Sequence, residues 1–216
     1  MPRAVSSRGG GGDAVSGHFD GALLGGNCRL ELADGSRIEL PARRWMRDPG
    51  TADELLLGRC WGPTLDIGCG PGRLTAALAR RGVPSLGIDV SGTAVRLTRR
   101  RGGVALRRDV FGRVPGAGRW RHALLADGNI GIGGDPVSLL RRVFELLGPG
   151  GRALVELDPP GAAARRERVR VDGSPWFAWA WLGADALAGV AAAAALAMSW
   201  TAAHGGRHFA ELRRGV

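Results

Sequence analysis

The spacing of apolar residues separates a repetitive centre of the chain from less regular ends. Five short apolar runs predict strands, at 64–67, 85–90, 104–109, 122–126 and 153–157. Helical spacing appears between several of them, at 74–80, 93–100 and 137–147. Strands that alternate with helices favour a parallel sheet covered by helices on both faces.

The segment before this centre has a different pattern. Leu30, Leu32, Ile38 and Leu40 alternate with polar residues around Asp34-Gly35. This arrangement predicts a β-hairpin, because Asp-Gly readily takes the positive φ angles of a tight turn. Residues 51–57 predict a short helix, with Thr51 as N-cap and Glu54 three residues later.

The segment after the centre also departs from the alternation. Residues 169–171 and 176–181 predict a second hairpin around Asp172-Gly173. A helix is predicted over 185–197. Two further segments, 198–202 and 207–212, would then close the sheet with an antiparallel hairpin.

The charge of the chain does not by itself indicate a nucleic-acid partner. The 216 residues carry a net charge of +10, and all 30 basic residues are arginine. The abundance of Arg, Ala and Gly is typical of a GC-rich genome. The arginine pairs are scattered along the chain, with one triple at 99–101, which favours solvated helix ends and loops over a concentrated basic surface.

Several classes of protein are disfavoured by what the sequence lacks. Cys28, Cys60 and Cys69 have no paired spacing and no Cys/His cluster, so we expect neither a disulfide framework nor a metal site. Free thiols and the absence of an apolar leader predict a cytoplasmic location. The apolar run 187–198 is too short to span a bilayer. Residues 1–17, rich in Gly, Ser and Arg, predict a disordered tail.

The most informative segment is the glycine-rich stretch from Leu65 to Gly72, which follows a predicted strand and opens a helix. Glycines there allow a sharp turn and a close approach of the backbone to a ligand. The dinucleotide fingerprint G-x-G-x-x-G fails, because Arg73 stands where its third glycine is required. A nicotinamide oxidoreductase is therefore disfavoured.

The stretch D-x-G-x-G-x-G from Asp66 to Gly72 resembles the first motif of the class I methyltransferases that use S-adenosylmethionine. The order of elements from residue 60 onward is also similar to that family. The resemblance implies a three-layer, Rossmann-like α/β sandwich. Its mostly parallel seven-stranded sheet would end in an antiparallel hairpin, and the N-terminal β-hairpin would be added to it. It also implies a single domain over 18–216, with an N-terminal cap at 18–60, a core at 61–216 and a hairpin insertion at 165–182.

The resemblance implies a binding site for S-adenosylmethionine at the carboxyl edge of the sheet. Asp89 ends the second strand of the centre, where an acid binds the ribose hydroxyls of nucleotides. Asp109 and Val110 follow the next strand, where the family binds adenine. The predicted cofactor-binding residues are Asp66, Gly68, Cys69, Gly70, Gly72, Asp89, Val90, Asp109, Val110 and Ala126.

The methyl acceptor would lie beside this site. Asp127, after the fourth strand, and His18, in the N-terminal segment, are the candidate catalytic residues. Asn129, Trp176 and Trp179 are candidates for acceptor binding, since aromatic side chains suit a flat or apolar molecule. Other side chains able to act as a base are Glu156, Asp158, His122, His204 and His208.

These residues favour a methyltransferase that acts on a small molecule in bacterial metabolism. They do not decide whether the protein forms a homodimer. A nucleic-acid or protein methyltransferase is one alternative, although Asp158-Pro159-Pro160 follows the fifth strand instead of the fourth. Gly161 also replaces the aromatic residue that amino-methylating enzymes of DNA carry there. A second alternative is a non-catalytic module that binds S-adenosylmethionine.

Overall fold

The computed structural model describes residues 17–26, 28–162 and 164–215. The predicted tail over 1–17 therefore lies, except for Gly17, outside the described residues. The strands are β1 Arg29–Leu32, β2 Arg37–Glu39, β3 Thr64–Ile67, β4 Ser85–Asp89, β5 Ala105–Arg107, β6 Trp120–Leu125, β7 Leu147–Leu157, β8 Arg165–Val171, β9 Phe177–Trp181, β10 Leu196–His204 and β11 Arg207–Arg214. The α-helices are α1 Asp20–Leu23, α2 Ala42–Trp45, α3 Glu54–Leu57, α4 Arg73–Arg80, α5 Gly92–Arg100, α6 Pro136–Leu146 and α7 Leu187–Ala193.

The main sheet has seven strands in the order β10-β11-β7-β6-β3-β4-β5. Its central strands pair in parallel, whereas β11 is antiparallel to both β7 and β10. Alternate residues of β6 enter different cores: Ala123 and Leu125 pack with α6 and α7, and Leu124 packs with α3 and α4. The sheet is therefore the middle of three layers, and the predicted fold class is confirmed.

A second, smaller sheet of four antiparallel strands has the order β2-β1-β8-β9. The predicted N-terminal hairpin forms β1 and β2. Strand β1 then pairs with β8, and Leu30 lies opposite Val171. One face of this sheet buries Leu30, Leu32, Val169 and Val171 against its own small core. We call residues 17–48 together with 165–181 the cap.

Two predicted boundaries near helices are wrong. The helix predicted over 185–197 ends at Ala193, and β10 begins at Leu196, because the chain turns at Ala195 (φ +57°) and then pairs with β11. Thr51 does not act as an N-cap. It begins a 3-10 turn, Thr51–Asp53, whose Asp53 carboxylate accepts a hydrogen bond from the Gly50 amide at 2.8 Å.

The three cysteines are buried and are not joined by disulfides. In the described part of the chain, no helix is long and apolar enough to cross a membrane. The same residues contain no group of three or more His, Cys, Asp or Glu side chains arranged to hold a metal ion.

Candidate active site

The carboxyl ends of the central strands and the cap enclose one large cavity of about 750 Å³. Small-molecule sites in proteins commonly have roughly 300–1,000 Å³. All the site residues predicted from the sequence line this cavity except Gly72. The sheet edge thus brings together residues from position 18 to position 179, as expected for ligand sites in open α/β folds.

The glycine loop between β3 and α4 forms the floor of the cavity. Gly68, Gly70 and Gly72 all have positive φ angles. A Cβ on Gly72 would lie 2.7 Å from the Thr98 Cα atom, so this glycine allows the loop to pack against α5. A Cβ on Gly70 would meet nothing within 4 Å, because this residue faces the open cavity. The thiol of Cys69 points inward, with Sγ 3.6 Å from Thr98 Oγ1.

The acid at the end of β4 is held against the glycine loop. Asp89 Oδ2 accepts a hydrogen bond from the Gly70 amide at 3.0 Å, and Oδ1 accepts one from the Ser91 amide at 2.8 Å. Burial raises the pKa of Asp89, although these bonds oppose the shift. Next to it, Val90 lines the cavity and uses its carbonyl to bind Arg107 at 2.9 Å.

The acid after β5 is exposed and closes its own turn. Asp109 Oδ1 accepts a hydrogen bond from the Phe111 amide at 3.0 Å. Val110, between them, is buried, and its carbonyl accepts a hydrogen bond from Arg142 at 2.8 Å. This turn therefore presents one carboxylate and one apolar side chain to the cavity.

Asp66 lies beneath the glycine loop, and its carboxylate binds the helix that follows. The Thr75 hydroxyl donates a hydrogen bond to Asp66 Oδ2 at 2.6 Å. Burial raises the pKa of Asp66 to about 6, in spite of this bond. The structure thus gives Asp66 a bonding partner inside the protein.

The loop after β6 is tied to the glycine loop. Asn129 Nδ2 donates to the carbonyls of Ile67 and Gly68, both at 2.9 Å. Ala126 is buried at the start of this loop. Asp127 follows with φ +55°, which is uncommon for a residue other than glycine and costs about 1 kcal/mol or more. Strain of this kind tends to occur at functional sites.

Asp127 belongs to a cluster of buried ion pairs that the sequence did not predict. Arg44 donates to Asp127 Oδ1 at 2.8 Å, and Arg73 donates to Oδ2 at 2.5 Å. Arg207 binds Glu156 Oε1 at 2.7 Å. We call these residues the ion cluster; its members are Arg44, Arg73, Arg207, Asp53, Asp127 and Glu156.

The ion cluster joins six elements and loops of the fold and is formally neutral. Arg73 also pairs with Asp53, and its side chain is only 3% exposed. Sequence reasoning treated the arginines as solvated and missed this role. One local signal was available, because Arg73 directly follows the last glycine of the loop, where α4 begins. Its partners are distant in sequence, and no local pattern identifies them.

Aromatic side chains of the cap form the opposite wall of the cavity. Phe19 contacts Trp45, Phe177 and Trp179 edge-on or tilted, with ring centroids about 6 Å apart. Trp176 also lines the cavity, and the Arg170 guanidinium lies 4.9 Å from its ring centroid. The predicted acceptor-binding tryptophans are therefore close to the glycine loop only because the cap folds over it.

His18 is part of this aromatic wall. Its ring stacks on Phe177 with centroids 4.5 Å apart, and burial lowers its pKa, which favours the neutral imidazole. Among the other candidate bases, Glu156 and Asp158 line the cavity. His122, His204 and His208 are not among the residues that line it.

Residues 64–151 match the protein family described as "Methyltransferase domain". The matched segment runs from β3 to the start of β7 and contains the glycine loop and both strand-end acids. This segment therefore has the sequence of a methyltransferase domain, and the seven-stranded sheet around it is the fold of the class I methyltransferases, enzymes that use S-adenosylmethionine.

Solved structures share this fold at low sequence identity. A methyltransferase from Bacteroides fragilis, crystallised with S-adenosylhomocysteine, superposes with a TM-score of 0.73 at 20% identity, covering 95% of this chain and 94% of that one. The Burkholderia thailandensis 1,6-didemethyltoxoflavin-N1-methyltransferase gives 0.58 at 19% identity, covering 76% and 75%. The CcbJ methyltransferase from Streptomyces caelestis gives 0.62 at 17% identity, covering 82% and 97%. Comparison with curated protein sequences returned no match.

The residues of the cavity fit S-adenosylmethionine. Gly70 leaves open space where a side chain would block a ligand. Asp89 retains lone pairs for ribose hydroxyls beside its two amide bonds. The methyl donor brings an electrophilic methyl group on a sulfonium, so the protein's task is to bind and align the two reactants.

Proposed function

We propose that this methyltransferase acts on a small-molecule acceptor in bacterial, specialised metabolism. The observation that carries the proposal is the single cavity that runs from the glycine loop to the aromatic wall of the cap. The cap covers the sheet edge, which favours an acceptor small enough to be enclosed. By their names, structural neighbours such as the didemethyltoxoflavin enzyme also methylate small molecules.

We assign the cofactor to the floor of this cavity. In the proposal Asp89 accepts hydrogen bonds from the ribose, and Asp109 and Val110 contact the adenine. The backbone at Gly68, Cys69 and Gly70 lies along the methionine part, with Gly72, Asp66 and Ala126 shaping the loop from behind. The open space at Gly70 and the strand-end position of both acids support this assignment.

We assign the acceptor to the space between the loop 127–129 and the aromatic wall. Trp176 and Trp179 would contact its apolar part, and Asn129 would hold the loop against the cofactor. His18 is the candidate base, because its ring lines the cavity and burial favours the neutral form. Asp127 is bound by two guanidinium groups, which favours a role in positioning the loop.

Calorimetric titration with S-adenosylmethionine, with NAD as a parallel ligand, tests the cofactor assignment. We expect saturable binding of S-adenosylmethionine alone. Asp89→Ala should raise the dissociation constant for S-adenosylmethionine by about 10–100-fold, because hydrogen bonds to a charged group contribute roughly 1.5–3 kcal/mol. The matched control is Asp48→Ala, which removes an exposed acid outside the cavity and should change affinity less than twofold.

Gly70→Val provides a second test of the same floor, since its side chain would project into the open cavity. We expect it to weaken binding at least as much as Asp89→Ala. Unchanged affinity in both variants would overturn the site assignment, and preferential binding of NAD would overturn the proposed function.

A further inference from the structure

The acids that line the cavity differ in whether they already have a partner. Asp127 and Glu156 are bound by guanidinium groups of the ion cluster. Asp66 is bound by the Thr75 hydroxyl. Asp89 and Asp109 accept backbone amides. Each of these five carboxylates therefore has at least one hydrogen-bond or ion-pair partner in the protein.

Two lining acids, Glu39 and Asp158, form no ion pair within the described residues. Glu39 is exposed at the rim of the cavity. Asp158 is half-buried, directly after the carboxyl end of β7, and the Leu182 backbone amide is the hydrogen-bond partner of its carboxylate. A half-buried carboxylate without a counter-ion is costly, and a bound cation would offset that cost.

The backbone fixes Asp158 beside the acceptor space. Its amide donates to the Leu182 carbonyl at 3.0 Å, and its own carbonyl accepts from the Ala184 amide at 3.0 Å. Leu182 directly follows the aromatic strand β9. Along β7, Asp158 lies on the same side as Glu156, about 7 Å further on, because side chains alternate along a strand. It therefore flanks the loop 127–129 and the aromatic wall at the same time.

The charged groups around Asp158 do not neutralise it. Two charged side chains act on it: Glu156, which Arg207 binds, and Arg165. The Arg165 guanidinium lies 4.2 Å from the Trp181 ring centroid and 3.5 Å from Glu167. Burial raises the pKa of Asp158, although the Leu182 amide and Arg165 oppose the shift. A cation bound at this point would offset that cost.

We propose that Asp158 binds the ammonium group of an amine acceptor and that the enzyme is an N-methyltransferase for amines with a flat, apolar body. This inference rests on the proposed small-molecule function. The aromatic wall fits both parts of such an acceptor, since aromatic faces attract cations as well as apolar rings. The ion cluster, being neutral, neither repels the cation nor competes for it.

The Asp158 carboxylate can also accept the proton that the ammonium group must lose before its nitrogen can be methylated. An alkyl ammonium has no lone pair, so one N–H proton passes to Asp158. The freed nitrogen lone pair then forms the N–CH₃ bond while the S–CH₃ bond breaks, and S-adenosylhomocysteine leaves as a neutral thioether. The methylated nitrogen carries the positive charge that the sulfur has lost.

Matched amines and alcohols test the inference on the protein saturated with S-adenosylhomocysteine. The probes are benzylamine with benzyl alcohol, phenethylamine with phenethyl alcohol, and tryptamine with tryptophol. We expect calorimetry to show at least one amine binding about tenfold or more tighter than its alcohol. With labelled S-adenosylmethionine, the label should appear on the nitrogen of that amine.

Asp158→Asn should reduce the preference for the amine to within about twofold and leave the affinity for S-adenosylmethionine within twofold of wild type. The matched control is Asp172→Asn, which makes the same change at the exposed turn between β8 and β9 and should keep the preference. A variant that retains the preference overturns the assignment of Asp158.

The wild-type comparison needs no variant and separates the two proposals. If S-adenosylmethionine binds but amines and alcohols bind equally, or no probe amine binds, the inference fails and the proposed function stands. If S-adenosylmethionine does not bind, the proposed function itself fails.

Discussion

The two sides of the cavity are built in different ways. The side to which we assign the cofactor comes from one contiguous stretch, β3 to Val110, in which each strand ends in a short loop at the same sheet edge. The side proposed for the acceptor comes from the cap, whose two hairpins are far apart in the chain. The ion pair between Arg170 and Glu31, at 2.6 Å, joins positions 139 residues apart. A local motif therefore identifies the first side, and only tertiary pairing creates the second.

The ion cluster connects these two sides, and we expect its disruption to lower the stability of the protein more than any other change. Arg73→Met removes the most buried counter-ion of Asp53 and Asp127, which keep only Arg207 and Arg44 respectively, so we expect the free energy of unfolding to fall by about 3–5 kcal/mol. Urea denaturation measures it. Arg80→Met, at the exposed end of the same helix, should cost about 0.5 kcal/mol or less. Equal losses in both variants would mean that the cluster contributes nothing.

A smaller effect on the free energy of unfolding comes from Asp66, beneath the glycine loop, and depends on pH. Since the pKa of Asp66 is raised to about 6 in the folded protein, the folded state binds more protons than the unfolded state between about pH 4 and 6. Its contribution to stability is therefore lost as the pH rises through this window, by about 3 kcal/mol in total. Asp66→Asn lacks this titration. The unfolding free energy of wild type should fall relative to that of the variant from pH 4 to 6, and parallel curves would contradict the assignment.

The smallest expected change in stability comes from removing methyl groups in the core of the cap or of the main sheet, and it distinguishes the two sides of the cavity. Val169→Ala, in the core of the cap, and Val155→Ala, in the main sheet, each remove two buried methyl groups and should each cost about 1.5–2.5 kcal/mol. We expect only Val169→Ala to weaken amine binding several-fold, with S-adenosylmethionine affinity within twofold of wild type in both. Identical ligand affinities in the two variants would show that the cap does not shape the acceptor site.

The outcome of the sequence predictions follows the same division. The glycine loop, the alternating strands and the N-terminal hairpin were predicted correctly, because each depends on neighbours a few residues away. The helix predicted over 185–197 was too long, because alanine-rich residues near its end join β10 through pairing with β11. Thr51 was misassigned as a cap, since it begins a 3-10 turn after Gly50, whose amide binds the Asp53 carboxylate.

The candidate site shows more clearly which residues can be predicted from the sequence and which cannot. Asp89 and Asp109 follow strands at a predictable edge, so their positions could be inferred. Arg44, Arg73 and Arg207 looked like solvated residues of an arginine-rich chain, although they meet around Asp127. Burial of an arginine depends on which carboxylates the fold brings within a few ångströms, and those carboxylates are distant in sequence.

The sequence by itself determined the class of fold and the glycine loop to which we assign the cofactor, because backbone turns and strand periodicity are local properties of the chain. Only the tertiary structure decided that the two hairpins form one sheet over the cavity. It also decided that Asp127 and Glu156 pair with arginines, whereas Asp158 forms no ion pair within the described residues. Which carboxylates gain a counter-ion depends on three-dimensional neighbours that are distant in sequence.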